Sequence, residues 1–310
     1  MTAVRRKKRR GFIKPTIGER IFDAWNIFGL ILLSLFCFYP LWFSIIMSFN
    51  DGIDALRGGI HFWPRVFSLD SYRIVFRSNV IMRAFFISVA RTVTGAPLTV
   101  FFSAMIGYAW SKNYLVFRKG YMYFGMFTMF FGAGLFPFIL LMRTLRLYNT
   151  FWVYIIPGMT GFFTLLLFIS FFKSLPDSLE EAARIDGCSD FRVFIRIVLP
   201  LSKPILATIG LFAAVRQWNS WFDGLVMVRD RSLQPMQTYL YRILTTAEAQ
   251  NELARQMMEA GMDIAERAEM HVTPSLRFAM IIVTMIPILC TYPFLQKHFT
   301  KGVMIGSIKG

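Results

Sequence analysis

The chain has 310 residues, of which 55% are apolar and 17% charged, and it carries a formal charge of +16. A soluble globular protein balances about 45–50% apolar against about 25% charged residues, so most of this chain belongs in lipid. The basic residues lie largely between long apolar runs rather than on one polar face, which excludes nucleic-acid binding as their purpose and fits Lys and Arg that orient membrane spans.

In chain order, the first feature is a basic cluster, Arg5 to Arg10, ahead of an apolar stretch. A secretory signal has an apolar core of roughly 7–15 residues. Here 26 residues from Ala24 to Phe49 pass without a formal charge, and no small-x-small cleavage site follows. The stretch therefore reads as a first spanning helix. Since roughly 20 apolar residues cross the hydrocarbon core, uninterrupted runs predict six spans. They lie at about 24–49, 84–110, 121–142, 148–172, 204–222 and 278–296. Arg91 interrupts the second in its outer third, where its long side chain is expected to snorkel to the interface.

With the amino terminus inside, the inner segments 1–23, 111–120, 173–203 and 297–310 hold more Lys and Arg, in fewer residues, than the outer ones. The positive-inside rule favours that orientation. The expected organisation is a basic cytoplasmic tail (1–23), a transmembrane domain (24–296) and a short cytoplasmic tail (297–310). Two outer loops are long. The first, about Asn50 to Asn79, holds Phe62, Trp63 and Tyr72, a mixture suited to capping the bundle or touching a partner. The second, an insertion at about 223–277, includes Thr245 to Met270, whose Ala, Glu, Gln and Met content predicts helix. A lid packed on the bundle and a docking surface for an external protein are both open readings of it.

The inner loop between the fourth and fifth spans is the most patterned segment. Ser178 followed by Glu181 matches a capping box, and Gly187 fits the left-handed residue that ends a helix. A second helix is expected from Ser189 or Asp190, with Phe191, Phe194, Ile195 and Val198 at helical spacing and Pro200 closing it. Small residues at Ala182 and Ala183 leave the backbone approachable by another protein. On spacing alone, an interfacial helix that merely links two spans is the favoured reading.

Glu181-Ala182-Ala183, three residues, Gly187, nine residues, Ile197, one residue and Leu199-Pro200 resemble the complete EAA loop of importer-type ABC permeases. Shorter matches are similar to the carbohydrate-uptake, maltose-type inner-membrane family and its oligosaccharide/polysaccharide permease subgroup. They are Ala104 to Lys112, where Gly107 and Lys112 depart from the pattern, and Leu145 to Thr150, where Arg146 stands in place of Gly. Trp218-Asn219-Ser220-Trp221-Phe222 and the tail Lys301 to Gly310 complete them. The resemblance implies an all-α polytopic membrane protein with six transmembrane helices and a cytoplasmic coupling helix. In that reading Glu181, Ala182, Ala183, Gly187, Ile197, Leu199 and Pro200 serve ATPase coupling. The partners implied are a second permease subunit, two ATP-binding subunits, an extracellular or periplasmic solute-binding protein and a sugar. The location implied is a bacterial cell membrane, with both termini cytoplasmic.

A charged group in lipid costs about 2.5–3.5 kcal/mol on insertion scales, so Arg216 is expected to face the bundle interior or a wet cavity. With Gln217, Trp218 and Asn219 it would offer a sugar hydrogen bonds and an aromatic face. Anchoring at the outer interface explains the same residues equally well. Cys37, Cys188 and Cys290 form no CxxC cluster, and His61, His271 and His298 stand at no metal-ligand spacing, so no metal or cofactor is expected. A membrane enzyme would need a buried nucleophile, base or metal set, which the charge-free third, fourth and sixth spans lack. A secondary transporter would need its own carboxylates at mid-membrane, and no predicted span contains one. The phosphate-binding loop of an ATPase is missing, so the chain is expected to be non-catalytic, with hydrolysis supplied by a partner. An importer permease for a non-sugar solute remains the alternative.

Overall fold

The computed structural model describes residues 16–246 and 273–306, with side chains through Thr291. The basic cluster Arg5 to Arg10, most of the helix expected at Thr245 to Met270 and the side chains of the Lys301 to Gly310 tail fall outside these residues. Among the described residues the chain is all-α, and its one bridge, Asn50 to Phe67, belongs to no strand.

The first helix, α1 (Ile17–Ser48), starts earlier than the apolar run because Thr16 caps it. Its hydroxyl accepts from the Glu19 amide at 3.4 Å while the Thr16 amide donates to the Glu19 carboxylate at 2.7 Å. This reciprocal box satisfies two orphan donors of the first turn. At 1.5 Å per residue its 32 residues outrun a hydrocarbon core of about 30 Å. Only its last turn is buried, where Ile46 and Met47 pack on Ala55 and Ile60. Asn50 then organises the loop that follows α1. Its side-chain oxygen accepts from the amides of Arg65 and Val66 at 2.8 and 3.1 Å, and its nitrogen donates to Asp54 at 3.0 Å. Two short helices, α2 (Gly52–Leu56) and α3 (Asp70–Arg77), complete this cap over the bundle.

The central element is α4 (Asn79–Ser111). Its buried positions, Ala84, Ser88, Arg91, Gly95, Thr99, Ser103, Gly107 and Ser111 among them, recur every three to four residues. A stripe of small residues lets helices approach closely where lipid removes any hydrophobic drive between them. Two helices use it, α7 (Phe162–Phe172) and α10 (Lys203–Asn219). A Cβ at Gly107 would stand 2.7 Å from that of Phe168, and one at Gly95 would stand 2.7 Å from the Gln217 amide nitrogen.

Three helices are long and apolar enough to span by themselves: α1, α4 and the last, α13 (Pro274–Gly306). The other three expected spans are bent pairs. The third is broken into α5 (Arg118–Phe130) and α6 (Leu135–Thr144), which turn 118° at Phe131-Gly132-Ala133-Gly134. Gly134 adopts a φ of +85°, open to a residue without Cβ. The expected single helix over 121–142 is therefore a doubled-back pair. The fourth bends by 49° between the 3₁₀ turns of Phe151–Gly158 and α7. The fifth is α10, which meets α9 (Asp190–Leu201) at 84°. It ends at Asn219, short of the expected 222, and a new helix, α11 (Phe222–Met227), follows. Helical backbone over 236–246, α12, follows within the insertion expected at 223–277. The sixth span continues as helix to Gly306, where a separate tail had been expected from 297.

Contacts between loops sort the bundle into two ends. Segments 111–118 and 173–202 meet at one end, through Tyr114 and Arg184. At the other, Asn149 accepts from the amides of Arg229 and Asp230, and Ser275 reaches the Asp51 carbonyl.

Candidate functional site

The loop after α7 carries α8 (Asp177–Ile185), and its start differs from expectation. Pro176, with φ −64° and ψ 126°, is the N-cap and no side chain caps the helix. Ser178 lies inside the first turn, and the expected box with Glu181 does not form. Proline is pre-set for a helix start, while Asp177 and Glu180 supply the first-turn negative charge that the helix dipole favours. Glu181 is left free at the surface.

The end of α8 matches expectation. Gly187 takes φ +80°, the Cys188 amide donates to the Ala183 carbonyl at 3.0 Å, and the Gly187 amide donates to that of Arg184 at 3.0 Å. This is the two-bond left-handed cap, completed by Cys188 packing beside buried Ala183. The turn aims α9 back at the bundle, so that Val193, Phe194 and Val198 bury against Tyr108, Phe168 and Phe172. Pro200 does not close this helix, which runs on to Leu201. A π turn at Phe194–Val198 puts the Leu199 amide on the Phe194 carbonyl, shifting the ladder just before the proline that cannot join it. The sharp bend falls at Ser202, ahead of Pro204.

α8 has two faces. Glu180, Ala183 and Arg184 face the bundle, with Glu180 and Ala183 buried. Ser178, Glu181, Ala182 and Ile185 face outward, and Ile185 is 86% exposed. The expected coupling residues are thus divided. Glu181, Ala182, Gly187 and Pro200 are exposed, whereas Ala183, Ile197 and Leu199 pack on the core beneath them. The inward face is held by charge. Glu180 accepts from Tyr108 Oη at 3.0 Å and forms an ion pair with Lys112, whose ammonium stands 4.4 Å over the Tyr108 ring. Arg184 donates to Tyr114 Oη at 2.6 Å, pairs with Asp190 at 3.0 Å and stacks over the Tyr114 ring. Burial, and then the Asp190 carboxylate, hold the Tyr114 phenol above its usual range, so it stays protonated in this cluster. An open cavity of about 420 Å³ between Lys112, Tyr114, Lys173 and Glu181 flanks the helix. Sequence reasoning missed Glu180. Its spacing of four from Arg184 signals a pair within α8, whereas the structure pairs it with Lys112, which the sequence marked only as a departure.

The second candidate cluster separates into two pairs. Gln217 and Trp218 are buried between helices. The Trp218 indole donates to the Thr284 carbonyl at 3.1 Å, and the Gln217 amide donates to that of Tyr154 at 3.2 Å. Arg216 and Asn219 lie on the exposed side, with Arg216 reaching the Gly158 carbonyl at 2.6 Å.

Arg91 overturns the snorkelling expectation. It is 1% exposed and pairs with Asp223 at 2.5 Å. It also donates to Gln217 Oε1 and the Ser220 carbonyl, and its guanidinium stands 4.4 Å over the Tyr154 ring. Its reach is spent inward because every guanidinium donor finds an acceptor there.

Among the described residues no His, Cys, Asp and Glu cluster could hold a metal ion. Residues 20–305 match the family of binding-protein-dependent transport system inner membrane components. The chain is 35% identical over 293 residues to the polygalacturonan/rhamnogalacturonan transport system permease protein YtcP of Bacillus subtilis (strain 168), covering 94% of this chain and 99% of that protein. It is 35% identical over 297 residues to protein LplC of the same organism, covering 95% and 97%. Among solved structures it is similar to a chain of a bacterial ABC transporter involved in the import of the acidic polysaccharide alginate. The TM-score is 0.81 at 28% identity, covering 93% of this chain and 99% of that one.

Proposed function

The chain belongs to the family of binding-protein-dependent transport system inner membrane components, and from that premise we propose that it forms half of the translocation path for an oligosaccharide or polysaccharide. The named cargo of its relatives, polygalacturonan or rhamnogalacturonan in one and alginate in the other, supports a carbohydrate substrate. A second permease subunit completes the path, two cytoplasmic ATP-binding subunits drive it, and an external solute-binding protein delivers the cargo. Both termini lie in the cytoplasm, an orientation supported by the Lys and Arg excess of segments 1–23, 111–120, 173–203 and 297–310 over the segments that alternate with them.

The observation that carries this reading is the two-faced α8. A helix with one face locked to the bundle and the other bare, ended by a left-handed glycine, is suited to seat in a groove of a moving partner. Glu181, Ala182 and Ile185 make the contact. Gly187 sets the turn, and Ala183, Ile197, Leu199 and Pro200 shape the support beneath it. Closure of the ATP-binding subunits then tilts the spans between outward-open and inward-open states. Arg216 and Asn219 line the path, and buried Gln217 and Trp218 hold them in place. The test is cross-linking: Glu181→Cys and Ile185→Cys should trap the ATP-binding subunit in the assembled complex. Failure of both to react removes the docking assignment.

A further inference from the structure

Glu180 belongs to none of the residues that contact the ATP-binding subunit in the reading above. It points the other way, 7% exposed, into the end of α4. A carboxylate is rarely so buried without a partner, and here both its partners sit at the end of α4, Tyr108 in the last turn and Lys112 as the C-cap. One turn further along α8, Arg184 repeats the attachment on Tyr114. α8 is therefore held by two clasps at i and i+4, a charged one on the terminus of α4 and a second on Tyr114 of the loop beyond it, where Arg184 also pairs with Asp190 of α9. One is dry and the other wetter, since Arg184 and Asp190 are 38% and 59% exposed.

In its first half, α4 carries Arg91, locked to Asp223, Gln217 and the Ser220 carbonyl. The helix between is continuous from Asn79 to Ser111. At 1.5 Å per residue it separates the two locks by about 30 Å.

We propose that Glu180 is the positioning residue that makes α8 and α4 move as one body, so that displacement of α8 is delivered along α4 to the Arg91 lock. The inference rests on the reading of α8 as the docking helix. Glu180 acts through Lys112 and Tyr108 and touches neither nucleotide nor cargo. The neutral isostere Glu180→Gln keeps shape and hydrogen-bonding capacity but leaves the Lys112 ammonium unpaired, while the exchange Lys112→Glu with Glu180→Lys restores the pair with its sign reversed.

Two measurements test it. The first is limited trypsin digestion of the purified chain in detergent. Glu180→Gln should speed cleavage at Arg184 several-fold, and the exchanged pair should bring it back towards the parent. The second is the ratio of ATP hydrolysed to radiolabelled oligogalacturonide taken up by the assembled complex in proteoliposomes. That ratio should rise several-fold in Glu180→Gln and fall again in the exchanged pair, whereas loss of structure would lower assembly without changing the ratio. An unchanged ratio in Glu180→Gln overturns the proposal, and so does an exchanged pair that assembles yet stays as uncoupled as the single variant. The Glu181→Cys cross-link distinguishes the two levels. If it forms while the ratio is unchanged, only the role of Glu180 falls; if it does not form, the docking reading falls.

Discussion

Arg91 and Asp223, 132 positions apart in the chain, meet at 2.5 Å and pin the first half of α4 to the start of α11. With Gln217 and the Ser220 carbonyl they use all the donors of the guanidinium, so the charge sits among helices without a bare N–H. Removing one partner of such a buried pair leaves an uncompensated charge, at a cost of about 3–5 kcal/mol.

Asp223→Ala should therefore lower the thermal unfolding midpoint in detergent far more than exchange of an exposed pair such as Arg73 and Asp70. The double replacement Arg91→Met with Asp223→Asn should cost less than Asp223→Ala alone. A double variant no more stable than the single would show that the pair is not the source of the loss.

At Gly187 the space is open, because no atom lies within 4 Å of an added Cβ, and the constraint is the φ of +80°. Gly187→Val should cost roughly 1–2 kcal/mol of local backbone strain and swing α9 relative to α8. Uptake should fall with ATP hydrolysis retained, and Gly187→Asn should be milder because Asn tolerates the left-handed region. Full uptake in Gly187→Val would remove the glycine from the coupling turn.

The small-residue stripe makes a prediction of opposite kind, governed by space. Gly107→Ala would place a Cβ 2.7 Å from that of Phe168, which cannot rotate away. Overpacking of this sort costs about 1–3 kcal/mol. Gly210→Ala meets only Val100 at 3.5 Å, an ordinary contact, and should be tolerated. Parallel thermal scans of the two variants decide it.

The separated pairs in α10 predict different phenotypes. Arg216→Ala and Asn219→Ala should change which oligosaccharides compete for uptake at normal protein levels. Trp218→Ala, which removes a buried ring and its bond to the Thr284 carbonyl, should lower stability and membrane abundance. A selectivity change confined to Trp218→Ala would place the path on the other face of α10.

Apolar run length and the spacing from Glu181 to Pro200 were enough to read the helical class, the three unbroken spans and the helix-turn-helix of the patterned loop, because these are local properties of consecutive residues. Gly187 was legible for the same reason, since a left-handed helix end has a short-range signature. Ser178 misled because Pro176 and Asp177 offered an earlier start one residue away. Burial inside the bundle could not be read. Arg91 looked like a snorkelling residue until Asp223 and Gln217 were brought beside it, and Glu180 and Glu181 are adjacent acids that only the packing of α8 on α4 tells apart. Runs of consecutive residues reveal what the chain is made of and where its patterned loop lies. Only the packed bundle settles which charges are paired and which face outward, because the buried charges of Arg91 and Glu180 are set by partners 68 to 132 residues away and not by their neighbours in the chain.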